Sequence, residues 1–205
     1  MKTVSAVCVY CGSRCGSDPQ FKEAAVQLGT AFADHGVELV YGGGAIGLMG
    51  TLARAARMRG GRVTGIIPDH LYKRELADFD PESFHSELHI VETMHARKAL
   101  MVARSDAFVV LPSGIGTLDE LMEILTWRQL GLHDKPVVII DVARYWRPLA
   151  QLLDHLIDGG FLDECAHEFY RLVPDVPSTL RELGITQAGR TLHEVPLVSD
   201  PSRSR

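Results

Sequence analysis

The sequence predicts an α/β protein built on a parallel β-sheet, and three observations support this prediction. Apolar, β-branched segments of strand length alternate with segments whose apolar residues recur at helical spacing. The strand-like segments are almost continuously apolar, which is typical of strands covered on both faces. Glycine-rich turns connect several strands to the helices that follow them. We therefore expect a Rossmann-like, doubly wound parallel sheet with helices on both faces.

These patterns define the expected elements in chain order. The predicted strands cover residues 3–10, 37–41, 62–67, 88–91, 106–111, 137–141 and 169–173. Helices are predicted from Asp18-Pro19 to Gly36, from the second glycine turn to about residue 60, over 93–104, from the third glycine turn to about 130, and over 146–156. The polar segment 69–87 is expected to be a surface excursion.

Length and composition limit the function classes. A chain of 205 residues with 46% hydrophobic content suits one domain, expected over 1–185, with a polar tail over 186–205. The net charge of -5 argues against a nucleic-acid-binding surface. No apolar run approaches the roughly 20 residues of a membrane span, and Met1 leads into a strand without a cleavage site, so we expect a cytoplasmic protein without membrane or nucleic-acid partners.

The segment from Leu111 to Glu120, Leu-Pro-Ser-Gly-Ile-Gly-Thr-Leu-Asp-Glu, is the most informative stretch of the chain. It joins a buried strand to an amphipathic helix, and free amides in the first turn of a helix attract anions. Gly114 and Gly116 let a phosphate approach without interference from a Cβ atom. In parallel sheets, ligands bind beyond the carboxyl ends of the strands. That rule places 11–17, 42–47 and 112–120 on one rim and suggests a phosphorylated ligand.

Two other motifs leave alternatives open. The turn 42–50, Gly-Gly-Gly-Ala-Ile-Gly-Leu-Met-Gly, is compatible with a phosphate cradle or with tight packing of strand and helix, and it lacks the Lys-Ser/Thr ending of a nucleotide triphosphate loop. Cys8 and Cys11 have the spacing of a redox or zinc motif, but only Cys15 lies nearby as a further ligand. We interpret the cysteines as reduced thiols and expect no metal site.

Three linked motifs resemble the LONELY GUY (LOG) family. They are the turn 42–50, Met94-His-Ala-Arg-Lys98, and Pro112-Ser-Gly-Ile-Gly-Thr-Leu-Asp-Glu120, in the family's order and spacing. The likeness extends from Cys8-Val-Tyr-Cys-Gly-Ser13 to about Asp141. Members of the family hydrolyse the N-glycosidic bond of N6-substituted adenosine 5'-monophosphates. The products are the free base, a cytokinin, and ribose 5-phosphate.

The resemblance also implies roles for individual residues. Arg97 and Glu120 correspond to the catalytic pair of the family. Substrate contacts are expected at Gly43, Glu75, Lys98, Ser113, Gly114, Ile115, Gly116, Thr117 and Thr126. The family needs no cofactor and commonly forms a homodimer. Ser113 replaces a glycine of the family pattern, so it either strains the turn, if φ is positive there, or adds a hydroxyl near the phosphate.

Glu120 has a chemical and a structural interpretation. Glycosidic cleavage passes through a positively charged sugar that a carboxylate can stabilise while it orients water. Thr117 and Glu120 also have the spacing of a capping box, in which both side chains satisfy amides at a helix start. The resemblance favours the catalytic role, with Arg97 fixing the carboxylate or phosphate through its planar donors.

The sequence is also compatible with three other function classes. A nucleotide-binding or carrier protein of the same fold keeps the glycine turns but needs no reactive carboxylate. A general nucleoside 5'-monophosphate hydrolase has the same site with a different base pocket. A decarboxylase that uses pyridoxal phosphate needs a Schiff-base lysine, for which only Lys98 lies near a motif.

Overall fold

The computed structural model describes residues 3–76 and 78–186. The strands within these residues are Ala6–Tyr10 (β1), Glu38–Tyr41 (β2), Val63–Pro68 (β3), Glu87–Val91 (β4), Ala107–Val110 (β5), Val137–Ile140 (β6) and Arg171–Val173 (β7). The α-helices are Pro19–Asp34 (α1), Gly47–Met58 (α2), Asp69–Glu75 (α3), Met94–Ala103 (α4), Ile115–Gln129 (α5), Arg147–Asp158 (α6) and Val176–Glu182 (α7). Short 3-10 turns cover Pro81–Ser83, Val142–Arg144 and Glu164–Glu168.

The seven strands form one parallel sheet in the order β4-β3-β2-β1-β5-β6-β7. The predicted α/β class and doubly wound parallel sheet are confirmed. From β1 the chain builds outward through β2, β3 and β4, and it then returns to add β5 on the other side of β1. The gap between the carboxyl ends of β1 and β5 is therefore the topological switch point, where open parallel sheets bind their ligands.

Both faces of the sheet are covered by helices. Val7 and Val9 of β1 face a core that also contains residues of α1, α2 and α7. Cys8 and Tyr10 face the opposite core, which contains residues of α4, α5 and α6. This burial on both faces explains why the strand segments read as continuous apolar runs. None of the helices in the described part of the chain has the length and apolar character needed to cross a bilayer.

Two segments differ from the sequence-based prediction. The segment 69–87 is not merely a surface excursion, because it contains α3 and buries Leu76 and Phe84 at 1% exposure each. This part of the prediction was wrong because the segment contains many charged residues, and its few buried apolar residues are too far apart to form a recognisable pattern. Helix α7 was not predicted, although Asp175 caps it by accepting a hydrogen bond from the Ser178 amide. The predicted tail lies, from residue 187 onward, outside the described residues.

Gly47 packs the start of α2 against the turn that follows β1. Its φ is +61°, and a Cβ atom at this position would lie 2.2 Å from the Ser13 carbonyl carbon and 2.4 Å from the Arg14 nitrogen. Both neighbours are backbone atoms, which cannot move aside as a flexible side chain can. Gly36, after α1, also has a positive φ of +68°, but a Cβ there would meet no atom within 4 Å.

We expect Gly47→Ala to destabilise the protein more than Gly36→Ala does. Both substitutions put a Cβ atom on left-handed backbone, at a cost of about 1–2 kcal/mol. Gly47→Ala adds a clash with fixed backbone, worth about 1–3 kcal/mol more. Urea unfolding followed by circular dichroism measures both free energies. Equal losses would mean that the turn after β1 moves freely.

Candidate active site

A cavity of about 610 Å³ opens at the switch point between β1 and β5. This volume lies within the range of about 300–1,000 Å³ that is usual for small-molecule sites. Its walls come from the turn after β1, the turn after β5 with the start of α5, and side chains from other elements. The lining residues are Cys11, Gly12, Ser13, Arg14, Gly16, Phe21, Met49, Glu75, Arg97, Pro112, Ser113, Gly114, Ile115, Gly116, Thr117, Glu120 and Tyr145.

Arg97 is held in place by backbone carbonyls at the ends of two strands. Its Nε donates to the Ile66 carbonyl at 3.2 Å, and its Nη2 donates to the Gly42 carbonyl at 3.0 Å. A Cβ atom on Gly42 would lie 1.9 Å from Nη2, so glycine is required for this approach. The residue is only 7% exposed. A permanent charge is thus fixed at the floor of the cavity.

Glu120 of α5 faces Arg97 across a short gap. The Glu120 Oε1 and Arg97 Nη1 atoms are 4.0 Å apart, beyond hydrogen-bond distance. Burial raises the pKa of Glu120 to about 7, although the charge of Arg97 acts in the opposite direction. The Glu120 carboxyl therefore exists in both protonation states near neutral pH. Such a group is suited to proton transfer or to stabilising a transient cation.

The capping-box interpretation of Glu120 does not fit the helix start. Helix α5 begins at Ile115 with Gly114 as its N-cap, so Thr117 lies inside the first turn rather than before it. Thr117 is 3% exposed and lines the cavity. With the cap taken by Gly114, Glu120 is not needed there and its carboxyl lies in the cavity wall.

The start of α5 is open toward the cavity. A Cβ atom on Gly114 or on Gly116 would meet no atom within 4 Å, and Ile115 is 84% exposed. The glycines here do not serve packing, and they leave the amides of the first helical turn accessible. Such amides, together with the positive end of the helix dipole, form an anion site.

Ser113 sits in this turn without backbone strain. Among the described residues, the non-glycine residues with positive φ are Ala143 and Arg144, so the strained alternative for Ser113 is excluded. Its Oγ atom would be 2.3 Å from a Cβ atom placed on Gly12. The Ser113 hydroxyl therefore occupies the space between the turn after β1 and the turn after β5, at the cavity wall.

The glycine turn after β2 is closely packed against its neighbours. Gly42 admits Arg97, and a Cβ atom on Gly44 would lie 2.8 Å from the Glu75 Oε2 atom. Gly43 has a φ of +79° and packs against Ile67, outside the cavity wall. Glu75, from α3, is 6% exposed and lines the cavity. Of the two interpretations of this turn, the structure supports close packing.

Two expected substrate contacts lie away from the cavity. Lys98 Nζ is 3.1 Å from Asp119 Oδ2 and 3.2 Å from Glu123 Oε1. The Thr126 hydroxyl donates to the Met122 carbonyl at 2.7 Å. Thr126 lines a separate, mainly apolar cavity of about 210 Å³ beside α6. The structure thus brings Glu75, Arg97, Glu120 and the turn 113–117 together, but not Gly43, Lys98 or Thr126.

The chain is similar to known proteins over most of its length. The family described as "Possible lysine decarboxylase" matches residues 49–183. Cytokinin riboside 5'-monophosphate phosphoribohydrolase LOG7 of Arabidopsis thaliana is 41% identical over 177 residues, which cover 86% of this chain and 80% of the relative. The enzyme LOG of Oryza sativa subsp. japonica is 43% identical, with 86% and 70% covered. The chain belongs to the LOG family.

Among solved structures, the molybdenum cofactor carrier protein of Chlamydomonas reinhardtii is similar to this LOG family member with a TM-score of 0.64. It is 20% identical, and the match covers 89% of this chain and 99% of that chain. At this identity the likeness concerns the fold alone. It supports the Rossmann-like arrangement of the seven-stranded sheet.

Nine of the residues that line the cavity of this LOG protein were not predicted as site residues, among them Arg14, Met49 and Tyr145. Arg14 is exposed at the rim, and its side chain makes no hydrogen bond or ion pair within the described part of the chain. Arg14 belongs to the turn-rich segment 11–17, which the sequence placed at the carboxyl ends of the strands, and this position could have identified it as a site residue. Met49 and Tyr145 reach the cavity through tertiary packing. Nothing local in the sequence marks either of them.

The cysteines of this LOG protein are free thiols. Cys8 and Cys11 are buried, Cys15 is partly buried and Cys165 is exposed. Burial raises the pKa of the Cys11 thiol, so it is neutral at physiological pH although it lines the cavity. Only thiolates are good nucleophiles, so Cys11 is a wall residue. Residues 3–76 and 78–186 contain no cluster of three or more potential metal ligands.

The raised pKa of Glu120 predicts a pH-dependent stability term. The folded state holds the Glu120 proton up to about pH 7, whereas the unfolded chain releases it near 4.5. Between these values the unfolded state binds fewer protons, so the free energy of unfolding falls as pH rises, and it levels off above pH 7. We expect Glu120→Gln to lack this decline and to gain stability relative to wild type across that range.

Urea unfolding at a series of pH values measures this difference. Glu23→Gln, at an exposed position of α1, is the matched control and is expected to follow wild type. A constant difference between wild type and Glu120→Gln from pH 4.5 to 8 would contradict the raised pKa.

Proposed function

We propose that the protein hydrolyses the N-glycosidic bond of nucleoside 5'-monophosphates. The proposed substrates are N6-substituted adenosine monophosphates, and the products are a free cytokinin base and ribose 5-phosphate. The observation that carries this proposal is the buried Glu120, 4.0 Å from a fixed Arg97 and beside an open helix start. The names of relatives at 41–43% identity support the same activity.

The start of α5 binds the 5'-phosphate in this proposal. Amides from Gly114 to Thr117 donate to phosphate oxygens, and the helix dipole favours the negative charge. The hydroxyls of Ser113 and Thr117 are further donors at the same wall. Binding energy from the phosphate, which does not react, then places the sugar for cleavage.

Glu120 acts on the sugar in its ionised form. As the bond to the base lengthens, positive charge develops on the ribose, and the carboxylate stabilises it electrostatically. The same carboxylate orients a water molecule toward the anomeric carbon and accepts its proton. A pKa of about 7 makes Glu120 a stronger base than an exposed carboxylate while leaving much of it ionised at neutral pH.

Arg97 supports Glu120 and the leaving group. Its positive charge lowers the pKa of Glu120, which burial raises, and so keeps part of the carboxyl ionised at neutral pH. Two of its nitrogens donate to backbone carbonyls. Nη1, which lies 4.0 Å from Glu120, contacts the Met94 sulfur at 3.8 Å and keeps its second N–H for the substrate. In this role Arg97 stabilises the negative charge that builds up on the departing base. Glu75 is proposed as a second carboxylate that accepts hydrogen bonds from substrate hydroxyl or amino groups.

The decarboxylase alternative has little structural support. Lys98, its candidate Schiff-base residue, is engaged by Asp119 and Glu123 outside the cavity. No lysine is among the cavity residues in the described ranges. A Schiff base needs a free amine directed at the cofactor, so Lys98 is poorly placed for that chemistry.

We expect Glu120→Gln to abolish turnover while nucleotide binding persists. Loss of the carboxylate removes transition-state stabilisation and base catalysis, so kcat should fall by at least about 100-fold. Arg97→Ala should weaken both binding and turnover, because it removes a charge and leaves the Glu120 carboxyl more protonated. The assay measures free base and ribose 5-phosphate from adenosine monophosphate and isopentenyladenosine monophosphate, and calorimetry measures binding.

Glu23→Gln serves as the matched control for these assays. Full activity of Glu120→Gln would refute the catalytic role of this carboxyl. Binding of nucleotides by wild type without release of base would instead identify a carrier protein. Equal rates across a panel of purine and pyrimidine monophosphates would identify a general nucleoside monophosphate hydrolase.

The pH dependence of activity follows from the same carboxylate. If the ionised form of Glu120 is the active one, kcat/KM rises with pH through about 7 and then reaches a plateau. Initial rates between pH 5 and 9, at substrate concentrations well below KM, test this. A rate that declines through pH 7 would mean that the neutral acid is the active form.

The homodimer and the cytoplasmic location stay predictions from the sequence. Light scattering coupled to size-exclusion chromatography distinguishes a dimer from the 22.5 kDa monomer. A monomeric, fully active protein would contradict the expected dimer without affecting the proposed reaction.

A further inference from the structure

The turn between β6 and α6 carries two strained residues in succession. Ala143 has a φ of +52° and Arg144 a φ of +63°. Left-handed backbone at a residue with a Cβ atom costs about 1–2 kcal/mol, so two in succession need compensation from the surrounding structure. Backbone strain of this kind often accompanies a functional role, and the residue that follows the strained pair is Tyr145.

Contacts on both sides of the turn hold it in this conformation. Asp141 is 7% exposed, and its Oδ1 accepts a hydrogen bond from the Trp146 amide at 2.7 Å. Its Oδ2 is 2.9 Å from Arg147 Nε. The Arg144 amide donates to the Asp141 carbonyl at 3.0 Å. The Asp141 carboxylate, just after β6, thus binds groups that lie beyond the two strained residues and closes the turn around them.

The strained turn places Tyr145 at the cavity wall. Its ring packs edge-on against Phe21, with centroids 5.4 Å apart, and against Trp146, with centroids 4.9 Å apart. Its hydroxyl donates to the Ser113 carbonyl at 2.6 Å. A side chain from the β6–α6 connection therefore holds the turn that precedes α5, which lies 32 residues earlier in the chain.

This hydrogen bond fixes the orientation of one peptide unit. The peptide bond is planar and trans, so holding the Ser113 carbonyl on one side directs the Gly114 amide to the opposite side. Gly114 has no Cβ atom, and without a restraint its peptide units rotate more easily than those of other residues. A rotated Ser113–Gly114 peptide would present a carbonyl oxygen where an amide is needed, and that oxygen would repel a phosphate.

We propose that Tyr145 is a positioning residue that locks the Ser113–Gly114 peptide for phosphate binding. The proposal rests on the proposed function, in which this turn binds the 5'-phosphate. Tyr145 acts through the backbone of the turn and takes no part in bond cleavage. It determines how tightly the phosphate end of the substrate or product is held.

Tyr145→Phe tests this role because it keeps the packed ring and removes only the hydroxyl. We expect the Kd of ribose 5-phosphate and the KM of the nucleotide to rise about three- to tenfold, while kcat stays within about twofold. Amide hydrogen exchange over residues 112–117 should become faster than in wild type. Tyr170→Phe is the matched control, since Tyr170 lines the separate cavity beside α6.

The outcomes separate this inference from the proposed function. Unchanged exchange over 112–117, or an unchanged Kd of ribose 5-phosphate in Tyr145→Phe, would overturn the positioning role. A fall in kcat without a change in KM or Kd would also overturn it. If wild type neither binds ribose 5-phosphate nor cleaves any nucleotide, the proposed function fails, whereas the exchange rates still decide whether Tyr145 holds the turn.

Discussion

The candidate site depends on a carboxylate that is buried beside a permanent positive charge without a direct hydrogen bond between them. Burial alone would keep Glu120 neutral, and a direct ion pair would keep it a weak base. The gap of 4.0 Å to Arg97 gives an intermediate state, with a pKa of about 7. This balance requires that Arg97 cannot move closer, and the carbonyls of Gly42 and Ile66 provide that restraint.

The sheet topology explains why these groups meet. Arg97 follows β4 at one edge of the sheet, and its helix α4 lies on the same face as α5. Its side chain extends to the carboxyl ends of β2 and β3, where it donates to backbone carbonyls, while Glu120 follows β5 on the other side of β1. The switch point thus receives one residue from each half of the fold. Neither half contains both members of the pair.

The sequence predicted the parts of this protein that follow from local patterns. Apolar runs and glycine turns predicted the parallel sheet and the rim that carries the cavity. The three linked motifs predicted Arg97 and Glu120, which the structure brings together. Segment 69–87 was misjudged because its buried residues are few, and α7 was missed because it is short. Tyr145 could not be predicted, since its contact with Ser113 depends on the packing of distant connections.

Similar limits apply to residues adjacent to the motifs. Lys98 follows Arg97 in the chain, yet successive helical residues point in directions about 100° apart. One faces the cavity and the other faces the outer side of α5. Sequence motifs do not distinguish these directions, because both residues share the same local pattern. Thr126 is a similar case. It lies in the last turns of α5, where its side chain faces α6 instead of the cavity at the start of the helix.

The ion pairs of Lys98 have a consequence for the energetics of the site. Lys98 adjoins Arg97 and Asp119 adjoins Glu120, so the contacts of Lys98 with Asp119 and Glu123 join α4 to α5 directly beside Arg97 and Glu120. The Lys98 and Glu123 side chains are 9% and 22% exposed, so dissolved salt screens this pair less than it would a surface pair, whereas Asp119 is 59% exposed and its pair with Lys98 is screened more. These ion pairs therefore link α4 to α5 next to the Arg97 guanidinium and the Glu120 carboxylate, and they favour the 4.0 Å spacing between those two groups before any ligand binds.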